Sequence, residues 1–157
     1  MTMASQDIRE DVQHSVQKTI LVCDDETDLL LMFRIYLESQ YKVLTVDSGT
    51  SCIDTILDHK NKNEEIDLLL LDYKLGDISG DIVARKVKEI EDIKILLITA
   101  FELDNQIVSE LIQEGLIEDV VKKPVQLEQL SQKIKETISL LTKFKFFRWK
   151  SSCLTMI

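Results

Sequence analysis

The chain has 157 residues and a formal net charge of −9 at pH 7. Hydrophobic residues make up 45% of it and charged residues 30%, which fits one globular domain of about 100–150 residues and excludes a disordered chain. No apolar run approaches the ~18 residues of a membrane span, and the polar N-terminal stretch lacks a signal-peptide core, so we expect a cytoplasmic protein.

Short apolar runs alternate with segments of helical periodicity along most of the chain. The apolar runs predict strands over 20–23, 43–46, 66–71, 93–98 and 117–121. The periodic segments predict helices over 26–39, 50–60, 81–91, 103–114 and 126–142. This alternation is typical of an α/β fold, doubly wound, with a five-stranded parallel sheet and helices on both faces.

The ends of the chain differ in composition from its middle. Residues 1–17 are polar and predict a flexible lead-in, residues 18–142 form the predicted domain, and residues 143–157 form a tail that is rich in basic and aromatic residues. All four basic residues of the tail follow the last acid, Glu136, so the rest of the chain is more acidic than the net charge suggests. We therefore expect no nucleic-acid binding by the predicted domain.

Polar side chains end four of the predicted strands. Asp24 and Asp25 follow the first, Asp72 the third, Thr99 the fourth, and Lys123 the fifth. Because the carboxyl ends of parallel strands share one edge of the sheet, we expect these side chains to meet there. Three carboxylates, a hydroxyl and an ammonium suit a divalent cation such as Mg²⁺ together with a phosphoryl group.

The segments ILVCDDETDLL, LLLLDYKLGDISGD, LLITA and VVKKPV, in this order and spacing, resemble the receiver domain of two-component response regulators. The resemblance covers roughly residues 18–142 and implies a flavodoxin-like receiver fold, with strand order 2-1-3-4-5. It also implies that a histidine kinase or phosphotransfer protein is the phosphodonor. The protein would then be a switch that catalyses its own phosphoryl transfer and slow autodephosphorylation, rather than a conventional enzyme.

The resemblance assigns a role to each site residue. Asp72 is the phosphoacceptor, and it binds Mg²⁺ together with Asp25. Asp24 acts on the metal through water, and the backbone carbonyl of Lys74 supplies a further ligand. The phosphoryl group is held by three groups: Thr99, the backbone N–H of Ala100, and Lys123, whose bond to Pro124 is cis in that family.

The sequence departs from the family pattern at two places. Gly76 stands where the loop after the phosphoacceptor usually has proline, which predicts a more mobile loop. Val120 stands where the family commonly has an aromatic residue, whose side chain turns inward on phosphorylation. Lys74 and Phe101 occupy the two variable positions beside the phosphoryl group, where their size is expected to slow hydrolysis.

The leading functional hypothesis is a stand-alone receiver that signals to a downstream protein by contact, because no DNA-binding output domain fits in the residues after 142. The first alternative is a Mg²⁺-dependent phosphatase of the haloacid dehalogenase type, although that family needs a second acid two residues after its nucleophile. The other alternative is an interaction module that is never phosphorylated. For residues 143–157 three hypotheses stand: packing on the body or in a homodimer, contact with an anionic membrane surface or a partner, and a linker to an output domain.

Overall fold

The computed structural model describes residues 16–100 and 103–153. The strands are β1 (Thr19–Cys23), β2 (Lys42–Val46), β3 (Leu68–Asp72), β4 (Lys94–Thr99) and β5 (Asp119–Lys122). The helices are α1 (Thr27–Leu37), α2 (Gly49–Asn61), α3 (Gly80–Ile90), α4 (Asn105–Gln113) and α5 (Leu127–Cys153). Most of the predicted lead-in and Phe101 lie outside the described residues.

All five strands are parallel, in the order β2-β1-β3-β4-β5. The predicted doubly wound sheet is therefore confirmed. The strand order reverses at β1 and β3, which are neighbours in the sheet, with Cys23 opposite Leu71. The next residue on each strand is an aspartate, so Asp24 and Asp72 emerge side by side at the switch point of the sheet.

Each face of the sheet has its own apolar core, because successive side chains of a strand point to opposite faces. On β1, Ile20 and Val22 pack with α1 and α5, whereas Leu21 and Cys23 pack with α2, α3 and α4. Strand β3 alternates in the same way, and every residue of β1 and β3 is buried. These rigid central strands hold the two aspartates at the sheet edge.

The observed elements differ from the predicted ones mainly at their ends. Strand β3 begins at Leu68 rather than 66, and β5 begins at Asp119 rather than 117, because the residues before them lie outside the pairing between strands. Helix α5 runs to Cys153, beyond the predicted end at 142. The segment from 143 to 153 contains no glycine or proline that would end the helix earlier. None of the helices in the described ranges combines the length and apolar composition needed to cross a bilayer.

Candidate functional site

Three aspartates converge at the carboxyl edge of the sheet. One carboxylate oxygen each from Asp24, Asp25 and Asp72 lies within 4.8 Å of the others. Asp24 is fully buried and Asp72 is 3% exposed, whereas Asp25 faces solvent. Carboxylates this close repel one another by about 1–4 kcal/mol per pair, so the cluster requires nearby positive charge.

Burial raises the pKa of both inner carboxyl groups. Desolvation and, second to it, the charge of Asp24 together raise the pKa of Asp72 to about 6, against the opposing effect of Lys123. Desolvation also raises the pKa of Asp24, although the backbone N–H of Glu26 and the Lys123 ammonium oppose it. The protein thus holds anionic oxygen atoms in surroundings that favour their neutralisation by a proton or a cation.

Lys123 supplies the positive charge among the described residues of the cluster. Its Nζ lies 3.1 Å from Asp24 Oδ2, 3.4 Å from Asp72 Oδ2 and 2.8 Å from Glu26 Oε1. Burial lowers the pKa of this ammonium, but its pairing with Glu26 and Asp24 and the charge of Asp72 outweigh burial, so the pKa is raised overall. Lys123 therefore remains protonated at neutral pH.

One inner oxygen atom of the cluster lacks a hydrogen-bond donor among the described residues. Asp24 Oδ1 accepts a hydrogen bond from the Glu26 N–H at 2.9 Å, but Oδ2 is buried and accepts none from the residues that the structure describes, despite its ion pair with Lys123. An incompletely satisfied buried carboxylate beside two others is an oxygen-only donor set, which Mg²⁺ prefers. The residues present therefore fit a Mg²⁺ ion.

Thr99 ends β4 on the other side of Asp72 and is 6% exposed. Its hydroxyl donates to the Ala100 carbonyl at 3.1 Å. The Lys123 N–H donates to the Thr99 carbonyl at 2.7 Å, which holds the end of β5 against β4 just before the cis Lys123–Pro124 bond. Thr99 and Lys123 thus lie at the ends of the neighbouring strands β4 and β5, and β4 is next to the strand that Asp72 ends.

The loop between β3 and α3 is anchored by Asp77. Its carboxylate accepts hydrogen bonds from the Gly49 N–H, the Thr50 N–H and the Thr50 hydroxyl at the start of α2. The Thr50 hydroxyl and these N–H groups lower the pKa of Asp77. Lys74 is exposed in the same loop, and its backbone hydrogen bond helps to hold Asp72 ionised.

The structure brings together the four charged residues that the sequence predicted for the site, and it places the other predicted residues at neighbouring strand ends. Asp24, Asp25, Asp72 and Lys123 form one contact group, Thr99 lies on the strand beside Asp72, and backbone groups of Ala100 and Lys74 follow the strand ends. Sequence reasoning missed Glu26 and Asp77. The signal for Glu26 was its place next to the Asp pair, and that for Asp77 was its place in the loop after Asp72.

Comparisons with known proteins point to one family. A family model described as the response regulator receiver domain matches residues 20–135. The polar-differentiation response regulator DivK of Brucella ovis is 26% identical over 122 residues, which is 75% of this chain and 94% of DivK. The phosphate regulon transcriptional regulatory protein PhoB of Pseudomonas aeruginosa is 34% identical over 131 residues, which is 78% of this chain but only 52% of PhoB. A CheY-like receiver domain from Methanospirillum hungatei has a TM-score of 0.73 at 26% identity, covering 81% of this chain and 98% of that one.

Proposed function

The chain belongs to the response regulator receiver domain family of two-component signalling, and we propose that it is a switch whose phosphoacceptor is Asp72. A histidine kinase or phosphotransfer protein supplies the phosphoryl group in the cytoplasm, and a downstream protein reads the modified state by contact. The single observation that carries this proposal is the buried pair Asp24 and Asp72, with exposed Asp25 beside it and the Lys123 ammonium within ion-pair distance of both buried carboxylates.

The proposed reaction is a displacement at phosphorus. A carboxylate oxygen of Asp72 attacks the phosphorus of phosphohistidine, the P–O bond forms, and the P–N bond breaks with its electron pair leaving on the imidazole. Although burial raises the pKa of Asp72 to about 6, the carboxylate is mostly ionised at pH 7 and retains a lone pair for attack. The Lys123 ammonium, the Thr99 hydroxyl and the Ala100 N–H stabilise the phosphoryl oxygens.

Asp25 and Asp72 would hold Mg²⁺ directly, with Asp24 acting through water and the Lys74 carbonyl as a further ligand. The ion supplies positive charge that offsets both the clustered carboxylates and the incoming phosphoryl oxygens. Asp24 remains the least exposed of the three carboxylates, which suits a residue that orients a metal-bound water rather than one that reaches solvent.

A groove beside the site offers a surface for the phosphodonor. It encloses about 580 Å³ and is lined by Leu29, Met32 and Val125 together with Lys123 of the site itself. Farther along α1, the side chain of Ile35 is 63% exposed. Because this apolar surface is continuous with the site, a donor protein bound on it would carry its phosphohistidine to Asp72.

Labelling with a small phosphodonor tests the proposal. Incubation with acetyl phosphate and Mg²⁺ should add one phosphoryl group to the intact protein, as a mass gain that is stable in acid and labile in base. The Asp72→Asn variant, which is nearly isosteric, should fold but not be labelled, and chelation of Mg²⁺ should prevent labelling of the wild type. Labelling that persists in Asp72→Asn but vanishes in Asp24→Asn would instead place the nucleophile after β1, as the phosphatase alternative requires.

A further inference from the structure

The shortest contact of Lys123 is with an acid outside the aspartate cluster. Its Nζ lies 2.8 Å from Glu26 Oε1, compared with 3.1 Å from Asp24 Oδ2 and 3.4 Å from Asp72 Oδ2. The partners are 97 residues apart in the chain, so this contact exists only in the folded protein. The ammonium that the proposed reaction needs is thus shared with a carboxylate that has no assigned role there.

Glu26 does not serve the helix that it precedes. It occupies the N-cap position of α1 with an extended backbone, but its side chain makes no capping hydrogen bond. Glutamate is also not among the side chains preferred at an N-cap, which are Asn, Asp, Ser and Thr. The Glu26 side chain is 61% exposed, and its contact in the described structure is the ion pair with Lys123 rather than a helix cap.

We infer that Glu26 is a positioning residue that holds Lys123 in the unphosphorylated state and competes with the phosphoryl group for its ammonium. This inference rests on the proposed function. A phosphoryl group brings about −1.5 to −2 charge and several strong acceptor oxygens next to Lys123. If the Glu26–Lys123 ion pair is stronger in the unmodified protein than in the modified one, phosphoryl binding must weaken that ion pair. The ion pair then weakens phosphoryl binding by the same factor. Glu26 therefore sets how readily the switch turns on.

Removing the charge of Glu26 should strengthen binding of a phosphoryl analogue. In Glu26→Gln, Lys123 no longer pairs with an anion at that position, so beryllofluoride with Mg²⁺ should bind about two- to fivefold more tightly than to the wild type, which is the range that an exposed ion pair supports. Titration of the full chain followed by NMR measures this affinity. The side-chain ammonium resonance of Lys123 should also shift in the ligand-free variant.

Asp28→Asn is the matched control. Asp28 lies two residues after Glu26, is exposed and lines the same groove, but it makes no ion pair with Lys123 in the structure. Its neutralisation removes the same charge from the same region, so it reports any long-range repulsion of the anion. Asp28→Asn should leave both the affinity and the Lys123 resonance close to those of the wild type.

The outcomes separate the inference from the function on which it rests. Unchanged or weaker binding in Glu26→Gln, or an equal gain in Asp28→Asn, would overturn the role of Glu26 while the wild type still binds beryllofluoride. A wild type that neither binds beryllofluoride nor becomes labelled would overturn the proposed function and the inference with it.

Discussion

At the scale of single residues, the site is defined by a shortage of positive charge. Lys123 is the cation in contact with Asp24, Asp72 and Glu26 among the described residues, and two of these three carboxylates are buried. Such an arrangement costs free energy in the folded protein, because two buried carboxylates share one ammonium. The apolar burial of β1 and β3 along their whole length offsets this cost.

The cost of this arrangement can be measured in Asp72→Asn. Burial raises the pKa of Asp72 from 3.8 to about 6, and each unit of difference between folded and unfolded states is worth about 1.4 kcal/mol. Without Mg²⁺ at pH 7, we expect the variant to be about 2–3 kcal/mol more stable than the wild type. Urea unfolding in the presence of a chelator measures the difference.

The difference in stability between Asp72→Asn and the wild type should shrink as the pH falls. Between pH 6 and 4 the folded wild type binds a proton on Asp72 that the unfolded chain does not, so the wild type gains stability as pH falls through this window. Asp72→Asn cannot gain it, and the difference between the two proteins should close towards pH 4. A difference that stays constant or widens from pH 7 to pH 4 would contradict the burial argument.

The sequence predicted the site residues that end strands, because placement at the carboxyl edge follows from topology alone. It did not predict the partners of Glu26 and Asp77. Both are exposed acids whose hydrogen bonds reach across 97 and 27–28 residues, and such contacts depend on side-chain conformations and on the distance between elements. Local patterns carry neither kind of information.

At the scale of elements, α3 begins as close to the proposed phosphoacceptor as its backbone allows. A Cβ atom on Gly80 would lie 2.6 Å from the Asp72 carbonyl oxygen and 2.7 Å from the Tyr73 Cα. The Gly80 N–H also donates to the Tyr73 carbonyl at 2.8 Å. The absence of a side chain at this position therefore lets the helix pack directly on the end of β3.

Gly80→Ala should consequently destabilise the domain. Crowding of fixed backbone atoms costs about 1–3 kcal/mol, and the better helix propensity of alanine offsets about 1 kcal/mol of this. We expect a net loss of up to about 2 kcal/mol in the free energy of unfolding, measured with urea. Labelling of Asp72 should slow as well, because the added methyl group would displace the backbone of Asp72 itself.

Gly76→Ala is the control for this prediction. A Cβ on Gly76 would meet only Asp25 Oδ2 at 3.9 Å, which is an ordinary contact. Alanine also leaves the unfolded chain fewer conformations than glycine does, which favours folding. The variant should therefore be as stable as the wild type or up to about 1 kcal/mol more stable. Equal effects of the two alanines would show that the loop adjusts around either position and would refute the steric argument.

The predicted elements were confirmed in type and order, and the errors at their ends have local causes. Before β3, the Asp67 carboxylate accepts the Thr19 N–H and pairs with Lys18, so Asp67 joins the segment before β3 to the start of β1. Before β5, the Ile117 N–H donates to the Leu111 carbonyl and closes the turn after α4. Apolar periodicity does not distinguish a buried turn residue from a strand residue.

At the scale of the whole molecule, the helices differ in how firmly the core holds them. Helix α4 buries one side chain, Leu111, whereas α3 buries Val83, Ala84 and Val87 in the same core. Val120 of β5 packs only partly against this core, in the position where the family commonly has an aromatic residue. An element with few buried contacts opens at low free energy, so we expect a change at Asp72 to shift α4 more easily than α3.

The division into a lead-in, a domain over 18–142 and a tail over 143–157 stays a prediction, and hydrogen exchange on activation addresses its signalling consequence. With beryllofluoride and Mg²⁺, we expect the largest changes in protection over 100–115 and 143–157, since α4 is weakly packed and the basic tail responds to charge added on an acidic body. Asp72→Asn under the same conditions is the control and should show neither change. If protection changes only around Val120 and Val121, with both other segments unmoved, the signal leaves through β5 and the proposed response of α4 and the tail is wrong.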